Sequence, residues 1–94
     1  MNLTKEQLDT IEHLAYLAFP PMRIAIVIEE DPYEFSMEIK DIQSDASRAY
    51  YKGWMQLQVE MREEMIKTAK NGSNSSLKEL LDIMKVTNNL LSYE

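Results

Sequence analysis

The chain has 94 residues, of which 45% are hydrophobic, and its formal net charge is −6. This length allows one domain at most, and this hydrophobic share is typical of a folded protein rather than a disordered one. The absence of cysteine excludes disulfides, thiolate metal sites and cysteine redox chemistry. There is neither a signal-peptide pattern nor an uncharged apolar run of about 18 residues. We therefore expect a soluble, cytoplasmic protein with no membrane partner.

The first segment begins with a helix-start signal, because Thr4 as N-cap and Gln7 three residues later form a capping box. The apolar residues that follow keep a helical period: Leu8, Ile11, Leu14, Ala15 and Ala18. This pattern predicts a helix that ends before the Phe19-Pro20-Pro21 break.

The second segment is short and very apolar. Proline is favourable at the first helical position, so Pro21 predicts the start of a helix that runs to about Ile28. Residues 24–28 are mostly β-branched, and a buried strand is the alternative. We favour the helix, since the sequence offers no second strand for pairing, and we expect it to be buried on nearly all sides.

The third segment repeats the start signal, with Asp31 as N-cap, Pro32 at the first position and Glu34 able to return the capping bond. It predicts a helix from Pro32 to Ile42. A short helix, a tight turn and a second capped helix, buttressed by the first, form the outline of a helix-turn-helix unit. Other three-helix bundles of this size share that outline.

A fourth, long helix is predicted from Ser44 or Asp45 to the Asn71-Gly72 stop signal. Gly53 lies inside it and indicates a close approach of another backbone. Ser76 and Glu79 form a further capping box, which predicts a last helix that folds back antiparallel on the long one. The predicted fold class is all-α: a single domain over 1–94, with a three-helix helix-turn-helix unit at 1–43 and a helical hairpin at 44–94.

The long helix carries two rows of apolar residues rather than one stripe. Tyr50, Trp54, Leu57, Met61 and Met65 follow one face, and Tyr51, Met55, Val59 and Ile66 follow another. The chain's own remaining segments can cover both rows, or a second subunit can cover one, since Met and Trp suit adaptable interfaces. For the second alternative the interface residues are Tyr51, Trp54, Met55, Val59, Met61 and Ile66.

Catalytic patterns are missing from the sequence. His13 is the single histidine, the carboxylate clusters lack calcium-loop spacing, and two glycines cannot form a phosphate-binding loop. We therefore expect a protein that is not an enzyme and that uses no metal or cofactor.

The residues available for nucleic-acid binding are a few cations in and near the predicted helix-turn-helix unit. If the third helix entered a major groove, its side chains and the flanking cations would contact DNA: Arg23, Tyr33, Ser36, Met37, Lys40, Arg48 and Lys52. Six of the 16 acidic residues lie in 29–42 with a single lysine, and Glu34 and Glu38 would repel phosphates.

Two motifs resemble the small terminase subunits of tailed bacteriophages and prophages. The first is the string Ser47-Arg48-Ala49-Tyr50-Tyr51-Lys52-Gly53, similar to an S-x-A-Y-x-K-G string that opens the family's long helix. The second is Ala69-Lys70-Asn71-Gly72-Ser73, similar to an A-x-x-G-S turn that closes that helix. The order of the upstream helices also agrees, so the resemblance spans nearly the whole chain.

The resemblance implies a DNA-packaging protein that binds double-stranded viral DNA, assembles as a homo-oligomeric ring and delivers DNA to the large terminase subunit in the bacterial host. Carried over by position, the helix from Pro32 to Ile42 would recognise DNA and the long helix would contribute to assembly. A protein-interaction or regulatory module on the same fold is the alternative function.

Overall fold

The computed structural model describes residues 1–72 and 74–91, and helices account for most of them. The helices are α1 (Lys5–Tyr16), α2 (Pro21–Val27), α3 (Pro32–Lys40), α4 (Asp45–Lys70) and α5 (Asn74–Leu91). No strand occurs in this described part of the chain, and residues 24–27 are helical. The all-α prediction is confirmed, and the strand alternative for the isoleucine-rich segment was wrong.

The helices divide into two compact units, with the boundary inside α4. The N-terminal unit, residues 1–58, contains α1, α2, α3 and the first half of α4. The C-terminal unit, residues 59–94, contains the second half of α4 and α5. The antiparallel return of α5 along α4 stays a prediction.

The core of the N-terminal unit is built from one face of each of its helices. Its buried apolar residues are Ile11, Ala15, Ile24, Ala25, Ile28, Phe35, Ile39 and Ala46. Phe35 is the largest fully buried side chain, and truncation of a buried Phe to Ala typically costs about 3 to 5 kcal/mol. This core fixes α2 and α3 against α1 and leaves their other faces exposed.

Both helix starts with side-chain caps are confirmed. Thr4 and Gln7 form the reciprocal capping box of α1, and the Asp31 carboxylate accepts hydrogen bonds from the backbone N–H groups of Tyr33 and Glu34 at the start of α3. The predicted start of α5 at Ser76 was wrong, since α5 begins at Asn74 and Ser76 lies inside it. Ser73, the residue before α5, lies outside the described residues.

Two helix ends use left-handed residues that are not glycine. After α1, Ala18 has φ of 68°, its N–H donates to the Ala15 carbonyl, and the Phe19 N–H donates to Leu14. After α2, Glu29 has φ of 60° and the next N–H, that of Glu30, donates to the Ala25 carbonyl. These are Schellman-type ends. The periodicity placed Ala18 in the first helix, which was wrong because this end motif closes α1 at Tyr16.

The prediction that α2 would be buried on nearly all sides was also wrong. Ile24, Ala25 and the following Ile28 are buried, whereas Met22, Ile26 and Val27 are exposed. α2 has only seven residues and packs against α1 and α3, so one face of it is enough to fill the core.

α4 joins the N-terminal unit through a backbone contact at Gly53, as the sequence predicted. Gly53 is buried, and a Cβ atom placed on it would overlap the carbonyl oxygen of Glu12 and lie 2.8 Å from the Glu12 carbonyl carbon. Ser47 is buried on the same half of α4. This contact places the Tyr50–Gln58 part of α4 in the N-terminal unit.

Candidate functional site

A four-residue turn between Val27 and Pro32 connects α2 and α3, the segment for which the sequence predicts a helix-turn-helix unit. The Gln7 side chain fastens this turn to α1. Its Nε2 donates to the Ile28 carbonyl at 3.1 Å and to the Glu30 carboxylate at 3.2 Å, while its Oε1 accepts from the Thr4 N–H at 2.9 Å. Gln7 therefore both completes the capping box of α1 and positions the turn that leads into α3.

The inner face of α3 is held in the core by Phe35 and Ile39, which fixes the side chains that point outward. Tyr33 is 75% exposed and Met37 is 64% exposed. Lys40 is exposed and Ser36 is half-buried. Three of the four side chains predicted to meet DNA bases are thus fully accessible.

The outer face of α3 has two chemically different flanks around a ridge of Tyr33 and Met37. At about 100° per residue, Ser36 and Lys40 fall on one side of this ridge. Glu34 and Glu38 fall on the other side. One flank carries a cation and a hydroxyl, and the other carries carboxylates.

An open groove of about 830 Å³ runs along the acidic flank. Its lining comprises Met1, Asn2, Glu30, Tyr33, Glu34, Met37, Glu38 and Asp41. Glu30 accepts a hydrogen bond from Gln7, and Asp41 accepts one from the Gln43 N–H. Within the described part of the chain none of the four carboxylates forms an ion pair, because the two ion pairs found there are Lys5–Asp9 and Lys52–Glu12. We call this feature the acidic groove.

The predicted DNA-contacting cations differ in whether they form an ion pair. Arg23 on α2, Lys40 on α3 and Arg48 on α4 are exposed and form no ion pair among the described residues. Lys52 lies 3.6 Å from a Glu12 carboxylate oxygen, with 76% of its side chain exposed. A pair that exposed contributes little to stability and leaves the ammonium accessible.

The predicted oligomer residues are exposed in both units. In the N-terminal unit Tyr51, Trp54 and Met55 are accessible, with Trp54 at 36%. In the C-terminal unit Val59, Met61 and Ile66 are accessible. Tyr50 and Leu57, from the other apolar row, are half-buried. The helix therefore exposes large apolar side chains that its own chain leaves uncovered among the described residues.

Tyr50 connects α4 to the end of α1. Its hydroxyl donates to the Phe19 carbonyl at 3.5 Å, and its ring meets Tyr51 edge-to-face at 5.3 Å. Burial raises the pKa of the Tyr50 phenol above its ordinary value, and the neighbouring Tyr51 adds to the rise. Tyr50 is thus a neutral structural contact at physiological pH.

No group of three or more His, Cys, Asp or Glu side chains in the described part of the chain is arranged to hold a metal ion. His13 is exposed on α1. None of the helices in residues 1–72 and 74–91 is both long and apolar enough to cross a membrane.

The acidic groove is the feature that sequence reasoning missed. The sequence analysis interpreted Glu34 as a capping residue and Glu34 and Glu38 as charges that repel phosphates, and their spacing of four residues places these two on one side of α3. Asp41 follows the last residue of α3 and has an extended backbone conformation. The sequence spacing did not indicate that Met1 and Asn2 also line the groove. They come close to α3 only when α1 packs against the turn between α2 and α3.

Comparisons of the chain with protein-family models, with curated proteins and with solved structures found no match in any of the three. The structure itself defines an all-α protein whose N-terminal unit contains α1, α2, α3 and the first half of α4.

Proposed function

We propose that the protein is a non-catalytic DNA-packaging protein of the small-terminase type, which binds double-stranded viral DNA as a homo-oligomer in the bacterial cytoplasm. The observation that supports this proposal best is the combination of an α2–turn–α3 unit with unpaired surface cations and a long α4 that exposes large apolar residues. In this proposal the large terminase subunit is the partner that receives the DNA.

In this proposal the protein contacts DNA mainly through the phosphate backbone. Arg23, Lys40 and Arg48 are exposed and form no ion pair within residues 1–72 and 74–91, and Lys52 stays accessible, so each can replace a counterion on a phosphate. Contacts from Tyr33, Ser36 and Met37 to base edges stay a prediction, since Glu34 and Glu38 lie on the same helix and disfavour phosphates. Lys40 lies on the opposite side of α3 from these carboxylates.

The decisive measurement is the binding of a duplex of about 30 base pairs to the full chain over a salt series that begins at about 50 mM, where phosphate contacts are strongest. We expect binding that weakens steeply with salt. No binding at the lowest salt would eliminate the DNA-binding proposal for this chain and favour the protein-interaction alternative.

Replacement of Arg23 and Lys40 by Ala tests the assigned surface. Loss of each phosphate contact should weaken binding for all sequences and reduce the salt slope by about 1. The matched control is the double replacement of Lys67 and Lys70 by Ala, which removes the same charge from the C-terminal unit. Equal losses in the two double variants would show that net charge, rather than this surface, controls binding.

A further inference from the structure

The carboxylates of the acidic groove along α3 have no assigned role in DNA binding, although Tyr33 and Met37 in its lining are also among the predicted base contacts. Its walls carry the side chains of Glu30, Glu34, Glu38 and Asp41, and Tyr33 and Met37 supply apolar surface between them. We propose that this groove docks a cationic amphipathic segment of a partner protein, a helix with Lys or Arg on one side and apolar residues on the other.

Charge complementarity identifies the occupant. Four carboxylates line one groove, and none of them has a counter-cation among the described residues. Lysine and arginine side chains of a partner would supply the missing charge, whereas a phosphate backbone would meet uncompensated repulsion. Duplex DNA is therefore the occupant that this electrostatic field disfavours most.

The apolar surface in the groove explains why a simple polycation is not the best partner. Tyr33 and Met37 are among the most exposed large apolar residues of the protein, and Met1 contributes from the opposite wall. Methionine adapts its shape to different partners, and Tyr adds a large rigid contact area. Helices that bind in grooves place apolar residues three and four positions apart into such surfaces.

The α3 side of the groove is held in place by packing and hydrogen bonds, which lowers the cost of binding. Phe35 and Ile39 anchor α3 from its inner side, and Gln7 fastens Glu30 to α1. At the other end, the Ser44 hydroxyl donates to the Glu38 carbonyl at 2.8 Å. The carboxylates at both ends are therefore presented from a rigid backbone.

The test uses the full chain and a fluorescent synthetic peptide of about 16 residues, in which Leu recurs three and four positions apart and Lys occupies the opposite face of the helix. Two further peptides serve as probes. One carries Glu in place of every Lys, and the other carries Gln in place of every Leu. We expect the Lys/Leu peptide to bind, the Glu/Leu peptide not to bind, and the Lys/Gln peptide to bind more weakly.

Substitution of the groove carboxylates tests whether the peptide binds in the acidic groove. Glu34→Gln with Glu38→Gln should weaken binding of the Lys/Leu peptide by about tenfold or more. The matched control, Glu63→Gln with Glu64→Gln, removes the same charge from exposed positions on α4 and should change binding by less than about twofold. Equal losses in both double variants would mean non-specific attraction to an acidic protein and would overturn the proposal.

Methyl NMR spectra of the complex give a second readout that does not depend on the variants. Peptide addition should shift the methyl signals of Met1 and Met37 and leave those of Met55 and Met84 unchanged. Shifts confined to α4 or α5 would show that the groove is not the peptide site. DNA binding through Arg23 and Lys40 can fail while this proposal holds, and the reverse is equally true.

Discussion

Gly53 of α4 lies directly against the backbone carbonyl of Glu12 on α1, so closely that a Cβ atom at position 53 would overlap that oxygen. Two helix backbones can approach to this distance only where one of them has no side chain. The Lys52–Glu12 ion pair next to this contact is exposed, so the close packing rather than the charge pair fastens α4 here.

Gly53→Ala should therefore destabilise the protein, although alanine favours a helix by about 1 kcal/mol over glycine. The Cβ overlap with Glu12 backbone atoms requires the helices to move apart, which should cost about 1 to 3 kcal/mol net. Urea unfolding measures the loss. Arg62→Ala, at an exposed position on the same helix, is the control and should stay within about 0.5 kcal/mol of the parent protein. A more stable Gly53→Ala protein would contradict the contact.

At Ala18 and Glu29 we expect glycine to stabilise the protein, because both residues have a left-handed backbone conformation. Each pays a conformational cost of about 1 to 2 kcal/mol that glycine avoids, partly offset by the greater freedom of glycine in the unfolded chain. Ala18→Gly and Glu29→Gly should each stabilise the protein by about 0.5 to 1 kcal/mol. Glu29→Ala removes the same charge without relieving the strain, so it should give no such gain. If glycine and alanine have equal effects at position 29, the left-handed geometry is not limiting.

Gln7 should be more important than an ordinary capping residue, because its amide also donates to Ile28 and Glu30. Gln7→Glu keeps the acceptor for Thr4 but replaces both donations with repulsion, and we expect a loss of about 1 to 3 kcal/mol. The repulsion raises the pKa of the introduced carboxyl in the folded state, so the loss should be smaller at about pH 4 than at pH 7. Gln43→Glu, an exposed change of the same charge, is the control. A pH-independent loss would argue against the repulsion.

The Trp54→Ala variant tests whether α4 contributes to self-association. Truncation of a buried Trp to Ala typically costs about 3 to 5 kcal/mol, but Trp54 is 36% exposed. We therefore expect the larger part of the effect in self-association, weakened by about 2 kcal/mol or about 30-fold. Light scattering after size exclusion measures the mass. Ile42→Ala, which changes an exposed apolar residue outside α4, should leave it unchanged. A monomeric parent protein would eliminate the oligomer proposal.

The local rules that the sequence follows predicted most helix starts. The predicted end of the third helix at Ile42 was wrong, because Asp41 takes an extended conformation and α3 ends at Lys40. Thr4 and Asp31 cap, Pro21 and Pro32 open helices, and Gly72 closes α4, since each acts through atoms a few residues away. The errors came where two local solutions compete. Ala18 continues the helical period but takes a left-handed end conformation, and the polar residues after Gly72 offered several starts for α5.

The sequence by itself determined the all-α class and the caps of α1 and α3, because these depend on nearest neighbours along the chain. For Gly53 it suggested a close approach of another backbone, with a tolerated glycine as the alternative. Only the tertiary structure decided that the contact partner is Glu12, that α2 keeps an exposed apolar face, and that Met1 faces the carboxylates of α3 across a groove. These relationships join residues far apart in sequence, and packing of α1 against the α2–α3 turn brings them together.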